Sequence, residues 1–251
     1  MTLFPVVLPV IQDISELPGR EKVALLSRVS RDALKLSAER SGVTVGELRK
    51  DENDVPLPFS SPNSIPCSSL WETGRWGSRE AQHPLGQGRG QYPARGAGPP
   101  QNRRFCGVYY WSVSHKPKYV AAVISNDRIG IDIEEIRPRS ESLFDYVAGG
   151  GEWELGQEKS WGTLFRYWTA KEAVLKAVGV GISGFKTCRI VSVPDANHII
   201  LNYQDRLFET EQLRYQDHIV SVLQDSNKIE WIIPEDFTPS RDMYPWRTLS
   251  Q

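Results

Sequence analysis

Cysteine is scarce in this 251-residue chain, and its three thiols are not arranged for a disulfide framework or a metal. Cys67, Cys106 and Cys188 lie far apart, are odd in number and lack ligand spacing, which reads as reduced thiols in a cytosolic protein. Long apolar runs are missing too. Residues 2–11 are apolar, but Pro5 and Pro9 interrupt them. With no basic lead-in and no small-residue cleavage site, the stretch is not expected to be a signal peptide. Nothing approaches the ~20 consecutive apolar residues of a membrane span. A net charge is the third absence: thirty basic against thirty-one acidic residues leave −1. No global field therefore directs the protein to nucleic acid or to an acidic membrane, and any basic site must be local. What is present is a 39% hydrophobic composition with eight tryptophans, sufficient for a core. The length holds one large domain or two halves of about a hundred residues each.

Leu25, Leu26, Val29, Ala33, Leu34 and Leu36 recur at helical spacing, predicting a helix over residues 20–41 that starts after Pro18-Gly19. Arg20, Lys22, Arg28, Arg31, Lys35 and Arg40 give it a basic face, which on composition alone is simply solvated. A turn-rich connector follows at residues 51–58. Residues 60–104 differ in kind: thirteen of the forty-five are Gly or Pro, and Ile65, Leu70 and Leu85 are the only aliphatic residues larger than Ala. Such a segment buries too little apolar surface to offset its ordering entropy, so it reads as a disordered basic insertion.

Order resumes in strand patterns at 108–114, 119–125 and 129–134, the last two joined through Asn126-Asp127 as a β-hairpin. Residues 140–151 read as a loop or short helix ending in a Gly triplet. Residues 164–178 form a second helix, stopped by Gly179 and Gly181. Strand patterns at 189–193, 199–203, 219–223 and 229–233 follow, and residues 234–251 read as a polar surface tail. Helix, strands, helix, strands is an α+β order that fits two similar halves, residues 1–59 with 105–125 and residues 126–233.

The chemistry concentrates in short segments. Ile129-Gly130-Ile131-Asp132-Ile133-Glu134 alternates strictly, as a half-buried strand does, with the isoleucines facing the core. Asp132 and Glu134 then share the other face, roughly 7 Å apart. Two acids on one face suit a hard divalent cation, and Gly130 in a strand often marks the close approach of a ligand. The second segment is Trp168-Thr169-Ala170-Lys171-Glu172-Ala173. Its Glu172 and Lys176 are spaced i,i+4, which alone is a surface ion pair. If Glu172 meets Asp132 and Glu134, three carboxylates would repel one another strongly without a cation, and the cluster implies Mg²⁺. Third comes Trp111-Ser112-Val113-Ser114-His115-Lys116, where Ser, His and Lys in succession supply donors for a phosphate. No G-x-S-x-G elbow surrounds either serine, so it is no hydrolase signature of that kind.

In this order the segments resemble the surfactin-type 4′-phosphopantetheinyl transferases, closely over the second and third motifs and across residues 111–176. Weaker similarity extends over residues 17–59. The resemblance implies two pseudo-symmetric α+β halves, each a helix on a small antiparallel sheet, with the active site between them. It also implies transfer of 4′-phosphopantetheine from coenzyme A to a serine of an acyl or peptidyl carrier protein, with Mg²⁺, releasing 3′,5′-ADP. On this footing Asp132, Glu134 and Glu172 are the metal acids, and Glu172 and Lys176 are catalytic. Ser114, His115 and Lys171 would bind coenzyme A, and Arg28 or Arg31 its nucleotide phosphate. The implied protein is a cytoplasmic monomer that engages a carrier protein, with neither nucleic acid nor membrane.

The sequence departs from the family's pattern in places. Lys116 stands where a small hydroxyl residue is usual, adding positive charge near the phosphates. Ser112 replaces a common asparagine, Thr169 a common serine and Asp54 a frequent glycine, and the 60–104 insertion has no counterpart. Judged from the residues alone, a non-catalytic coenzyme A or nucleotide-binding module and a Mg²⁺-dependent phosphohydrolase remain alternatives. The complete acid triad, which a pure binder does not need, favours the transferase.

Overall fold

The computed structural model describes residues 1–52, 55–61, 107–156 and 158–233. Apart from Ser60 and Ser61, the expected insertion lies outside the described residues, as do Cys67, Cys106, Asp54 and the 234–251 tail. Within them the architecture is α+β, with antiparallel sheets and packed helices.

The first sheet grows from two apolar runs, β2 (Val6–Pro9) and β5 (Tyr119–Ser125); with β1 (Thr2–Leu3), β3 (Phe59–Ser60) and β4 (Val108–His115) they lead into and complete the first half. The sheet order is β2-β5-β4-β3. In β5, Val120, Ala122 and Ile124 join the core formed with α1 (Gly19–Arg40), whereas Ala121 and Val123 join the core of the second half. A strand covered on both faces needs apolar residues throughout, which is why β5 shows no alternation. The Ile124 N–H donates to Ser37 Oγ at 3.1 Å, fastening α1 to that strand.

The second half carries β6 (Ile131–Glu135), α2 (Ser142–Val147), α3 (Gly150–Leu155), α4 (Trp161–Val178), β7 (Arg189–Ser192), β8 (His198–Tyr203), β9 (Arg206–Tyr215) and β10 (His218–Leu223). Its sheet runs β6-β10-β9-β8-β7, so β6 is an edge strand. Helix α4 starts where Ser160 Oγ accepts the Thr163 N–H and stops where Gly179 turns left-handed at φ 85°. A buried polar knot seats it on the sheet: Thr169 Oγ1 and Ser221 Oγ lie 2.6 Å apart, and Gln212 Nε2 donates to Ser221 Oγ and to the Arg166 carbonyl.

Three expectations need correction. Asn126-Asp127 does not join a hairpin: β5 pairs with β2 and β4, while β6 pairs with β10, so the turn is a crossing from one sheet to the other. The hairpin of this region is β4–β5. Strand β6 is not half-buried either, because both of its faces are covered, and Asp132 and Glu134 are 4% and 7% exposed. Finally, the longest strand, β9, escaped the sequence pattern. Its inward positions include Thr210 and Gln212 beside Phe208, so the face that enters the core is partly polar and the apolar period is hidden.

Residues 228–232 also leave the proposed partition. Strand β11 (Lys228–Ile229) pairs in parallel with β1, and Ile232 exchanges backbone hydrogen bonds with Pro5 and Val7 and joins the α1 core. No helix of the described residues is long and apolar enough to cross a membrane.

Candidate active site at the seam of the two sheets

The free edge of β6 lies against β4, and short polar side chains satisfy it. Ser112 Oγ accepts the Ile131 N–H at 3.1 Å, and Lys176 Nζ donates to the Ile131 carbonyl at 3.0 Å. Ser114 Oγ donates to Asp132 Oδ1 at 2.7 Å, and Lys176 Nζ reaches the same oxygen, also at 2.7 Å. The strand, the first-half serine and the second-half helix therefore meet at one carboxylate. Its other oxygen, Asp132 Oδ2, is buried without a hydrogen-bond partner among the described residues.

Gly130 makes this meeting possible. A Cβ there would lie 1.8 Å from the Ala173 carbonyl oxygen and 2.9 Å from the Ala177 nitrogen. The body that approaches this glycine is the backbone of α4, not the ligand its place in a strand first implied. The close crossing brings Lys176 to Asp132, with Glu172 one helical turn earlier facing the same acids.

Glu134 pairs with Lys116 Nζ at 2.6 Å. Burial nonetheless holds the Glu134 carboxyl above the usual glutamate range, with Lys116 opposing and Asp132 adding to the shift. Glu172 is raised as well, first by burial and then by the Asp132 charge, with Lys176 opposing. It accepts no hydrogen bond from any described residue. His115, at the end of β4, is pushed down by partial burial and by the charges of Lys116, Lys176 and Lys50. Positive charge thus reaches the seam from both sides, from Lys116 and Lys50 and from Lys176 of α4.

Two cavities open here. One, of about 380 Å³, has Ser27, Arg31, Lys50 and His115 on its walls; Arg31 shares it with His115, whereas Arg28 does not line it. The other, about 630 Å³, runs from the connector at Asp51 and Pro56 past Trp111 and Arg128 to Lys176. The Trp111 indole fixes the connector by donating to the Leu57 carbonyl at 3.0 Å.

The structure thus brings together Ser114, His115, Asp132, Glu134, Glu172 and Lys176, with Arg31 along the neighbouring groove. It does not bring in Lys171. That side chain is 1% exposed and turns into the second half, where Nζ donates to the Val147 carbonyl at 2.6 Å and to Glu152 Oε1 at 3.0 Å. Adjacent residues on a helix point about 100° apart, so Lys171 and Glu172 cannot both face the seam. Glu152 also accepts the N–H groups of Gly149 and Ile190, clasping α3 and β7 to α4. Its sequence signal was available: an acid three residues after Gly149 is the N-terminal signature of a helix. Lys171→Met, which strips the ammonium from this clasp, is expected to cost about 3 kcal/mol, read as a melting temperature lower by ~6–12 °C.

The expected metal acids are also distributed differently from a preassembled cage. Among the described residues, donor atoms within 4.8 Å of one another come together at Glu135, Asp217 and His218. There Lys118 Nζ already bridges Glu135 Oε1 at 2.8 Å and Asp217 Oδ2 at 2.6 Å. At Asp132, Glu134 and Glu172 the donor chemistry fits a hard cation. Asp132 Oδ2 is a buried oxygen without a partner among the described residues, and the Asp132 charge adds to the burial that raises Glu134 and Glu172.

Residues 128–224, which carry β6, α4 and three of these acids, match the family model of the 4′-phosphopantetheinyl transferase superfamily. The likeness to that superfamily is carried by this region of the chain. The chain is 36% identical over 118 residues to the 4′-phosphopantetheinyl transferase HetI of a Nostoc species, covering 43% of this chain and 49% of that protein. It is 32% identical over 79 residues to the 4′-phosphopantetheinyl transferase psf-1 of Bacillus pumilus, covering 30% and 34%. A third, the 4′-phosphopantetheinyl transferase gsp of Aneurinibacillus migulanus, is 27% identical over 113 residues, covering 40% and 48%. The matches span about half the length of these relatives or less. Ser114, His115 and Lys116 precede the matched superfamily residues and reach the acids only through the β4–β6 seam.

Proposed function

We propose that this protein transfers 4′-phosphopantetheine from coenzyme A to a serine of an acyl or peptidyl carrier protein, with Mg²⁺ bound, releasing 3′,5′-ADP. The observation that carries the reading is the meeting of Ser114, Lys176 and Asp132 across the two sheets, with Glu172 beside them. Asp132, Glu134 and Glu172 would hold the Mg²⁺. Bound there, the ion supplies positive charge against that developing on the phosphate oxygens. The residues of the chain do the rest. Arg31 and Lys50 give the nucleotide phosphates a cationic groove, and His115 offers them a ring N–H. Lys176 offers its ammonium to the pyrophosphate and the departing 3′,5′-ADP. The serine oxygen attacks the phosphorus that carries pantetheine, the bond to the ADP oxygen breaks, and Glu172 takes the serine proton.

The two halves are read here as pseudo-symmetric: residues 1–59 with 105–125 set α1 on one antiparallel sheet, and residues 126–233 set α4 on another. One chain supplies every group named, which supports a monomer, and the cytoplasm is the proposed compartment. Mass spectrometry of an apo carrier protein mixed with the protein, coenzyme A and Mg²⁺ tests the reading. One added phosphopantetheine per carrier is expected. An unmodified carrier with coenzyme A bound would leave a binding module, and phosphate-bond cleavage without any carrier would indicate a hydrolase.

A further inference from the structure

The seam contains three carboxylates, and two ammonium groups are already engaged with two of them. Lys176 holds Asp132, and Lys116 holds Glu134 at 2.6 Å, where the glutamate side chain is 9% exposed and so meets the ammonium rather than water. Lys176 belongs to α4 with the acids' own half. Lys116 comes from the other half, at the turn after β4. We propose that Lys116 is a tethered counter-cation for Glu134, which competes with a divalent ion and makes the seam bind that ion more weakly than its three carboxylates would unaided. The proposal rests on the metal reading given above.

The tether is rigid. Lys116 N–H donates to the Tyr119 carbonyl at 2.8 Å, closing the β4–β5 turn, and Pro117 fixes the backbone in between. Two residues on, Lys118 grips Glu135 and Asp217, so the turn is pinned to the second half at its far side. The stem of Lys116 therefore starts from a fixed point, and its ammonium meets Glu134 at high effective concentration. A divalent ion reaching for Glu134 must either displace this charge-assisted hydrogen bond to Oε1 or bind the other oxygen beside the ammonium charge, and both weaken its hold. The Lys116 charge is also felt at Glu172 and at His115.

The test uses the full chain with Mn²⁺ alone, followed by the loss of the free-ion electron paramagnetic resonance signal, with no coenzyme A or carrier present. Lys116→Met is expected to bind Mn²⁺ about tenfold more tightly than the wild type, the scale of removing one nearby competing charge. Lys116→Arg, which keeps the charge, is expected to stay within about twofold of wild type. Adding Asp132→Asn to Lys116→Met should cancel the gain, which separates the seam from Glu135, Asp217 and His218. Equal or weaker binding by Lys116→Met overturns the proposal, as does an equal gain in Lys116→Arg. Absence of Mn²⁺ binding in all of them removes the metal reading and this proposal together. Tighter binding in Lys116→Met with no carrier loading by the wild type leaves this proposal standing while the transferase reading falls.

Discussion

Gly130→Ala is expected to give a chain that does not reach the native state at 37 °C, or one whose melting temperature falls by more than about 10 °C. The added methyl would sit 1.8 Å from the Ala173 carbonyl oxygen and 2.8 Å from its carbon. Both are backbone atoms in mid-helix, so no rotamer change relieves the overlap, and α4 itself must move. That helix is held by the Thr169, Ser221 and Gln212 knot and by the core beneath it, which makes the displacement cost several kcal/mol. Gly19→Ala is the control, since nothing lies within 4 Å of a Cβ there. It should match or slightly exceed the wild type. A Gly130→Ala protein melting with the wild type would refute the close crossing of β6 and α4.

Glu172→Gln should lower carrier loading by about 10²–10⁴-fold while leaving the fold as stable as before, or more so. The substitution keeps shape, and the carboxylate accepts no hydrogen bond among the described residues, so little is lost by removing its charge. What is removed is a like-charge neighbour of Asp132 and Glu134. The sign of the pH dependence follows. Glu172 is raised above the ordinary glutamate value of 4.5, so between the two values the native state holds a proton that the unfolded chain has released. Wild-type stability therefore declines as pH rises from about 4.5 through the raised value. The melting temperature of Glu172→Gln relative to wild type should be level at acid pH and grow across that window, with Lys176 and Lys116 moderating the rise. Wild-type loading by this variant would remove Glu172 from the mechanism. Asp132→Asn is less clean, because it also disturbs the bonds from Ser114 and Lys176.

The sequence revealed the pieces better than their joins. Val120–Ile124 and the α1 and α4 patterns were legible because burial dictates side-chain type residue by residue. So were Asp132 and Glu134, whose flanking isoleucines declare a strand. The pairing of β6 with β10, about ninety residues away, has no local signal, and Asn126-Asp127 looks the same in a hairpin as in a crossing. Strand β9 was hidden because Thr210, which donates to the Ile199 carbonyl, and Gln212, which serves the buried polar knot, stand where apolar residues would have announced it. Lys171 was misplaced for a simpler reason: a motif gives adjacency along the chain, and a helix turns adjacency into divergence. Lys116 stood out as an oddity, but only the fold supplies its partner, Glu134.

The strand pairing at residues 228–232 has a consequence for how the protein is made. Residues 1–9 leave the ribosome about 220 residues before the segment that flanks them. At ordinary elongation rates that is a delay on the order of ten to forty seconds. During it, β1 and one side of β2 present open backbone edges, the kind of surface that invites pairing with another chain. The α1 core lacks Ile232 for the same interval. The first half is therefore completed last, although it is synthesised first, and its edges stay open until residue 232 has emerged.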